Sequence, residues 1–335
     1  MYEKRENFDR QTDRQTDRQK DRQTDIDIAK GLLIISVVIG HIINFDSFVT
    51  GGIKTIIYSF HMPAFFIISG MLMNYDKILS KTYCELIKKR AKRLLIPYVC
   101  FELVGGLLQM ALMGTEVVNP IGIIYGILTI HCHVGADWFL PTLFFAEIMF
   151  YASAKNFKGK ILFPMGIFCM ILAFAIPDFN YFVAILRRIF IAYGYITFGY
   201  IGKKFFSNKS KFGMVLSGAV LIALAYFNGL VDLSVRIFHN PVLYCITGVL
   251  GAYVVLNIAH CITGFLKNGL IEIGKESLLI MGTHQHIMLI ANCIIGSQYC
   301  LQMQAILIVL VFIYETLLIT LKRCNFWSTF AKYRN

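Results

Sequence analysis

The chain has 335 residues, 57% of them hydrophobic and only 16% charged, with a net charge of +12. A soluble domain carries nearer a quarter charged residues, so this composition excludes an ordinary soluble fold. The basic residues gather at the ends of apolar runs, which argues against a nucleic-acid surface.

Residues 1–25 are polar, with DRQTDRQTDRQKDRQTD running from Asp9 to Asp25. That repeat has no apolar residue with which to bury a core, and it reads as a disordered cytoplasmic tail. It lacks the apolar stretch and small-residue cleavage site of a signal peptide, so the first apolar run is expected to stay as an anchor. Asp-Arg-Gln-Thr can be encoded GAC-AGA-CAG-ACA, a repeat of GACA. A slippage-prone tract of that kind would switch expression on and off; a solvated extension without a role is the alternative. Ten apolar runs follow, at 26–45, 53–74, 94–113, 137–154, 160–177, 181–202, 212–228, 242–262, 275–296 and 302–321. Each is about the length that crosses a bilayer core. If the N-terminus is cytoplasmic, all of the 32 lysines and arginines except Lys54, Arg187, Arg188 and Arg236 fall on the inner side. This is the positive-inside pattern, and it predicts ten spans with both termini cytoplasmic. The expected organisation is a tail (1–25), a membrane domain (26–322) and a C-terminal cytoplasmic tail (323–335), and the fold class all-α: a polytopic helical bundle. Nine scattered cysteines without a CxxC read as buried thiols. Cys132 and Cys300 are the two that would face outside and pair.

The first run, IDIAKGLLIISVVIGHIINF, holds Lys30 and His41. Eleven positions put them about 20° apart around a helix and about 16 Å apart along it. Asp27 shares the stripe. Ionisable groups in spans usually face a bundle interior or a wet cavity. The bland readings are that Lys30 snorkels to the interface and that His41 bonds a neighbouring helix; Gly40 lets such a helix come close. The second run, YSFHMPAFFIISGML, places His61 mid-helix and Pro63 just after it. The proline frees a backbone carbonyl, for which a polar cavity is one expected partner. Ser69 and Gly70 follow. In KKRAKRLLIPY, Lys88, Lys89, Arg90, Lys92 and Arg93 suit anionic lipid headgroups or the phosphates of a soluble ligand. Asp137 and Trp138 open the fourth run, as an interfacial tryptophan or a sugar-stacking ring. Arg187 and Arg188 are adjacent and cannot face one way. One is expected to pair with an acid, with Glu102 and Glu147 as candidates, and the other to face an acceptor or an oxyanion. His284 and His286 in GTHQHI lie about 200° apart, so only one can face a given cavity. HCHVGAD raises zinc, but its spacing matches no known site pattern and no metal is expected. GxSxG, HExxH and Walker A motifs are absent.

Lysine-x10-histidine in the first run, FHMP…FFIISG in the second, the RxxR element before the third, DWFL at the fourth and IGKESLLIMGTH at the ninth together resemble the acyltransferase 3 family of membrane O-acyltransferases. The nearest branch is the fucose 4-O-acetylase-like one, and the resemblance covers residues 22–322. It implies transfer of an acyl group, usually acetyl, from cytoplasmic acetyl-CoA to a hydroxyl of a surface glycan or lipid-linked sugar. It also implies a bacterial inner membrane and partners among polysaccharide-assembly proteins. Lys30 and His41 map onto the catalytic hallmark. Arg90 and Arg93 map onto RxxR, with Lys89 beside them, and Ser69 and Gly70 onto the serine-glycine element, all as acyl-CoA-binding positions. His284 matches the ninth-span histidine; His61, Asp137, Trp138, Arg187 and Arg188 are supporting or acceptor-binding candidates. Arginine is common where Lys30 stands; lysine keeps the charge but loses the two-pronged fork. The esterase-like SGNH domain of some members has no counterpart before Asn335. Acyl transfer needs a base for the hydroxyl proton, and a neutral, buried His41 is the expected one. A transporter or an inactive assembly subunit are the rivals, and acetyl-CoA turnover by purified protein separates them.

Overall fold

The computed structural model describes residues 23–43, 47–157, 161–296 and 300–323. The repeat tail up to residue 22 and the C-terminal segment from 324 lie outside the described residues. Fourteen helices occur among the described residues: α1 (23–42), α2 (Phe48–Met71), α3 (Tyr75–Leu79), α4 (Tyr83–Met113), α5 (Pro120–Thr129), α6 (Phe139–Asn156), α7 (Leu162–Ala175), α8 (Tyr181–Ile201), α9 (Lys203–Phe206), α10 (Lys211–Asn228), α11 (Pro241–Cys261), α12 (Gly264–Lys275), α13 (Ser277–Ile295) and α14 (Leu301–Arg323). Each of the ten apolar runs lies on one of them. Seven (α2, α4, α8, α10, α11, α13 and α14) are long and apolar enough to cross a membrane unaided. Of the other three, α1 carries Asp25, Asp27 and Lys30, α6 carries Glu147 and Lys155, and α7 has only 14 residues. The protein is an all-α multi-pass membrane bundle.

Helix starts follow their capping residues. Thr82 and Glu85 cap α4 reciprocally: the Glu85 N–H donates to Thr82 Oγ1 at 3.3 Å and the Thr82 N–H to Glu85 Oε2 at 2.7 Å. Asn180 and Asn240 cap α8 and α11. The centre of the bundle is α2, packed between α8 and α11. Two glycines set the α2–α8 distance. A Cβ on Gly70 would lie 1.9 Å from the Ile196 carbonyl oxygen, and one on Gly199 2.0 Å from that of Ile67. The backbones therefore touch, as small residues allow in membranes. The outer faces are apolar and open: Leu103, Val104 and Leu107 on α4, Val215 and Ile222 on α10, Ile306, Val309 and Ile313 on α14. Surfaces of this kind belong against lipid rather than water.

Pro63 removes the partner of the Ser59 carbonyl. Thr247 of α11 fills the vacancy, its hydroxyl donating to that oxygen at 3.1 Å. A neighbouring helix, not a cavity, satisfies the bend. Glu102 also differs from expectation. It accepts the N–H groups of His133 (2.8 Å) and Val134 (3.3 Å), while Gln109 donates to the His133 carbonyl at 2.8 Å. Glu102 thus holds the irregular segment 130–138, which is buried around Val134, Ala136 and Trp138. Non-helical backbone inside a membrane protein needs such protein partners. Cys132 and Cys300 are both free thiols; Cys132 Sγ rests 3.6 Å from the Ile130 carbonyl.

Candidate active site

Three segments meet α1 and α2 at one end of the bundle and enclose a cleft of about 380 Å³, counting its open mouth. From α1 come Val37 and His41; from α2, Tyr58, His61 and Met62; from the loop before α6, Ala136 and Trp138; from the 229–240 loop, Asp232, Leu233 and Ser234; from α13, Met281. His41 therefore turns its ring inward, as the stripe shared with Lys30 and Asp27 requires. His284 of α13 lies behind it, with ring centroids 5.3 Å apart. Tyr58 lies 6.2 Å from His41 and 5.1 Å from His61. His61 and His284 each place Nδ1 on the carbonyl one turn earlier, Ile57 at 2.7 Å and Ile280 at 2.8 Å. A carbonyl only accepts, so both Nδ1 atoms donate and both Nε2 atoms keep a lone pair. His284 Nε2 is buried without a protein partner. His286 points away to α4, where its Nε2 faces Gly105.

Behind Trp138 the polar lining continues. Arg188 is buried, with its guanidinium 5.4 Å from the Trp138 ring and 5.9 Å from that of Tyr181. Its Nε and Nη2 have no hydrogen-bond partner among the described residues, whereas the fully buried Asp137 carboxyl faces that of Glu102, where a proton on one of the two acids lets them share a hydrogen bond. Arg187 turns the other way, as adjacent arginines must. Its Nη1 lies 2.5 Å from Asp178, which also receives Arg236 Nε at 2.6 Å. The acid paired with Arg187 is thus Asp178, not Glu102 or Glu147. The resulting clamp ties the α7–α8 turn to the loop that carries Asp232 and Ser234. Asp178 itself stays below the usual carboxylate range: burial works against its charge, but hydrogen bonds from Arg236 and Arg187 outweigh it.

A second polar cluster lies toward the other end of α2, about 12 Å along the helix from His61 to Ser69. Ser69 Oγ donates to Glu147 Oε1 at 2.7 Å. Arg90 Nε lies 3.0 Å from Glu147 Oε2 and donates to Tyr151 Oη at 2.5 Å. Ser69 and Arg90 are therefore brought together, by an acid the sequence reading gave to other arginines. Arg93 and Lys89 are exposed on the adjoining turns of α4. Gly70 points not into this cluster but into the α8 crossing, which is a packing position. Lys30 lies 2.6 Å from Asp27 and so leaves the His41 cleft to the other end of its helix. His131 lies tilted against Tyr181, centroids 4.6 Å apart, and His133 Nδ1 lies 3.4 Å from Glu102. Among the described residues no three His, Cys, Asp or Glu side chains gather in a way that could hold a metal ion.

Four contributors escaped the sequence reading. Tyr58 adjoins a motif that was noticed, so its position three residues before His61 was a usable signal. Gln285 stands between two noticed histidines and bonds His41. Asp232 and Ser234 come from a loop with no motif of its own.

A family model described as an acyltransferase domain, acyltransferase 3, matches residues 23–324. Nodulation protein NolL of Sinorhizobium fredii is 43% identical over 77 residues, which is 21% of this chain and 21% of that protein. Nodulation protein NolL of Mesorhizobium japonicum is 40% identical over 77 residues, 21% of this chain and 20% of that protein. The alignment thus spans about a fifth of these relatives' length. No solved structure matches. With a family match over nearly all of the described helices and the hallmark histidine inside the cleft, the chain belongs to the acyltransferase 3 family.

Proposed function

We propose that the protein is a membrane O-acyltransferase that moves an acyl group, acetyl by preference, from cytoplasmic acetyl-CoA to a hydroxyl of a surface glycan or lipid-linked sugar. The observation that carries this reading is the meeting of His41 and His61, from two helices, at one cleft, with His284 of a third helix directly behind the hallmark histidine. O-acylation from a thioester needs a proton acceptor near neutral pH and donors for the carbonyl oxygen, and imidazole supplies either. Trp138, with Asp232 and Ser234 across the cleft, offers an apolar ring face and polar groups, the combination a sugar needs. Arg188 and Asp137 stand directly behind it as supporting groups. On this reading Lys89 and Arg93 meet the donor's phosphates, while Arg90 and Ser69, held by Glu147, shape the donor's approach. Lys30, paired with Asp27, guides the donor along α1. Both termini cytoplasmic is the orientation that the distribution of basic residues supports, and a bacterial inner membrane is the setting that the family resemblance implies. Polysaccharide-assembly proteins are the partners such chemistry would have.

His41→Ala tests this. Acetyl transfer to surface polysaccharide, read by NMR of O-acetyl groups and by thiol release from acetyl-CoA, is expected to fall at least about 100-fold. Protein level and CoA binding should persist. Turnover near that of the native chain would remove the assignment.

A further inference from the structure

Gln285 faces neither of the histidines beside it in sequence. Its side chain bridges the loop before α6 and α1. Oε1 accepts the Ala136 N–H at 3.1 Å, and Nε2 lies 3.3 Å from His41 Nδ1. A backbone N–H can only donate, so it selects the oxygen of the amide and leaves the NH2 toward His41. That NH2 can also only donate, so His41 Nδ1 presents a lone pair to it. A neutral imidazole whose Nδ1 accepts carries its proton on Nε2. His61 is fixed in the opposite sense: its Nδ1 donates to Ile57 and its Nε2 holds the lone pair, at the lining of the same cleft. The cleft therefore offers one ring as an N–H donor and another as a proton acceptor.

We propose, on the O-acyltransferase reading above, that Gln285 is a positioning residue that keeps the His41 proton on Nε2 and so divides the work between two histidines. His41 Nε2–H donates to the carbonyl oxygen of the acyl thioester, and His61 Nε2 takes the proton of the acceptor hydroxyl. The freed oxygen forms a bond to the carbonyl carbon, and the tetrahedral oxyanion is held by His41. The carbon–sulfur bond then breaks, and its electron pair leaves on sulfur. The proton on His61 passes to that sulfur, giving ester and free thiol with nothing oxidised or reduced. His41 is thus a donor to the oxyanion rather than the base that its place in the hallmark suggests.

The direct test is spectroscopic and needs no substrate. Full-length protein labelled with ¹⁵N in its histidines, held in lipid nanodiscs, reports the protonated nitrogen of each ring by NMR; the signal missing from His41→Gln identifies His41. The expected result is a bare Nδ1 and a protonated Nε2 at His41. In Gln285→Glu, where a carboxylate can only accept, the proton should move to Nδ1. A protonated Nδ1 in the native chain would overturn the proposal even if acyl transfer were fully demonstrated. Conversely, absence of acyl transfer would leave the tautomer intact and remove only the functional reading. Where Gln285→Glu fails to fold, the native spectrum still decides. In turnover, His41→Gln should retain more activity than His41→Ala, because glutamine can still donate. His61→Gln should lose about 10²–10⁴-fold, and kcat should fall in Gln285→Glu while the KM for acetyl-CoA changes little. A His61→Gln variant as active as the native chain would reverse the roles and refute the division of work.

Discussion

The Arg90–Glu147 pair joins α4 to α6, and Ser69 extends it to α2. The Glu147 side chain is 3% exposed and that of Arg90 18%. Glu147→Ala removes the counter-charge and leaves the guanidinium with Tyr151 Oη as its hydrogen-bond acceptor, supplemented by a 3.9 Å contact to Met73 Sδ. Breaking a buried pair from one side costs about 3–5 kcal/mol. The residual exposure of Arg90 and the retained tyrosine bond place this case at the low end, about 3 kcal/mol on the same scale. Removing both charges behaves differently, because no orphan remains. Arg90→Met with Glu147→Leu should lie within about 1 kcal/mol of the native chain, or above it, and Ser69 can turn its hydroxyl to the carbonyl one turn earlier. Reversible unfolding in mixed SDS micelles measures both variants. The order native ≈ double variant > Glu147→Ala is the expected result. A Glu147→Ala protein as stable as the native chain would refute the view that Glu147 holds Arg90 in place. The same assay separates roles on α4. Arg93→Gln and Lys89→Gln should leave stability unchanged and raise the KM for acetyl-CoA, since those side chains are exposed.

Other expectations follow from single contacts. Gly70→Ala should abolish accumulation of folded protein in the membrane, because the new Cβ meets the Ile196 backbone. Gly218→Ala, which faces open space on α10, should be tolerated or add up to about 1 kcal/mol. Thr247→Val should cost about 1–3 kcal/mol, since it strands the carbonyl that Pro63 frees; unfolding against Thr247→Ser, which keeps the hydroxyl, checks this. Asp178 gives a pH dependence. Its folded pKa is depressed, so its contribution is fully present above its unfolded value of about 3.9 and is lost as pH falls through the folded value. Hydrogen exchange in the 229–240 loop should therefore rise only below about pH 4, and Asp178→Asn should show the raised exchange at neutral pH.

What could be read from the sequence depended on whether a group is satisfied within its own helix. The ten helices follow from apolar runs of membrane length. The inward turn of His41 follows from an eleven-residue spacing to Lys30, and the opposed directions of Arg187 and Arg188, like those of His284 and His286, follow from helical angle. His61 and His284 bond carbonyls four residues back, a purely local arrangement. Cross-helix pairings carry no such spacing. Glu147 was matched to the wrong arginines because nothing in the chain says that α6 meets α4 beside Ser69. Glu102 looked like a counter-charge, yet it serves the backbone of a loop whose burial no periodicity announces. Asp232 reaches the cleft on a loop held by long-range and turn contacts, the Asp178–Arg236 pair and the Asp232–Ile237 backbone bonds among them, that no spacing announces.

The same distinction explains where reactivity concentrates. In a membrane interior a polar atom without a partner is costly, so most such atoms here are matched: Glu147 with Arg90, Glu102 with two N–H groups, the Ser59 carbonyl with Thr247. Among the described residues the exceptions are spread through the bundle, on Tyr193, Thr197, Tyr244 and His286 among others, but those on His284 and Arg188 stand beside the cleft and its back wall. Folding alone would favour apolar residues at those positions. Buried nitrogens of His284 and Arg188 left without protein partners beside His41 and His61 suit group transfer, the chemistry of the acyltransferase family to which the chain belongs, because a bound substrate can supply the partners that the fold does not.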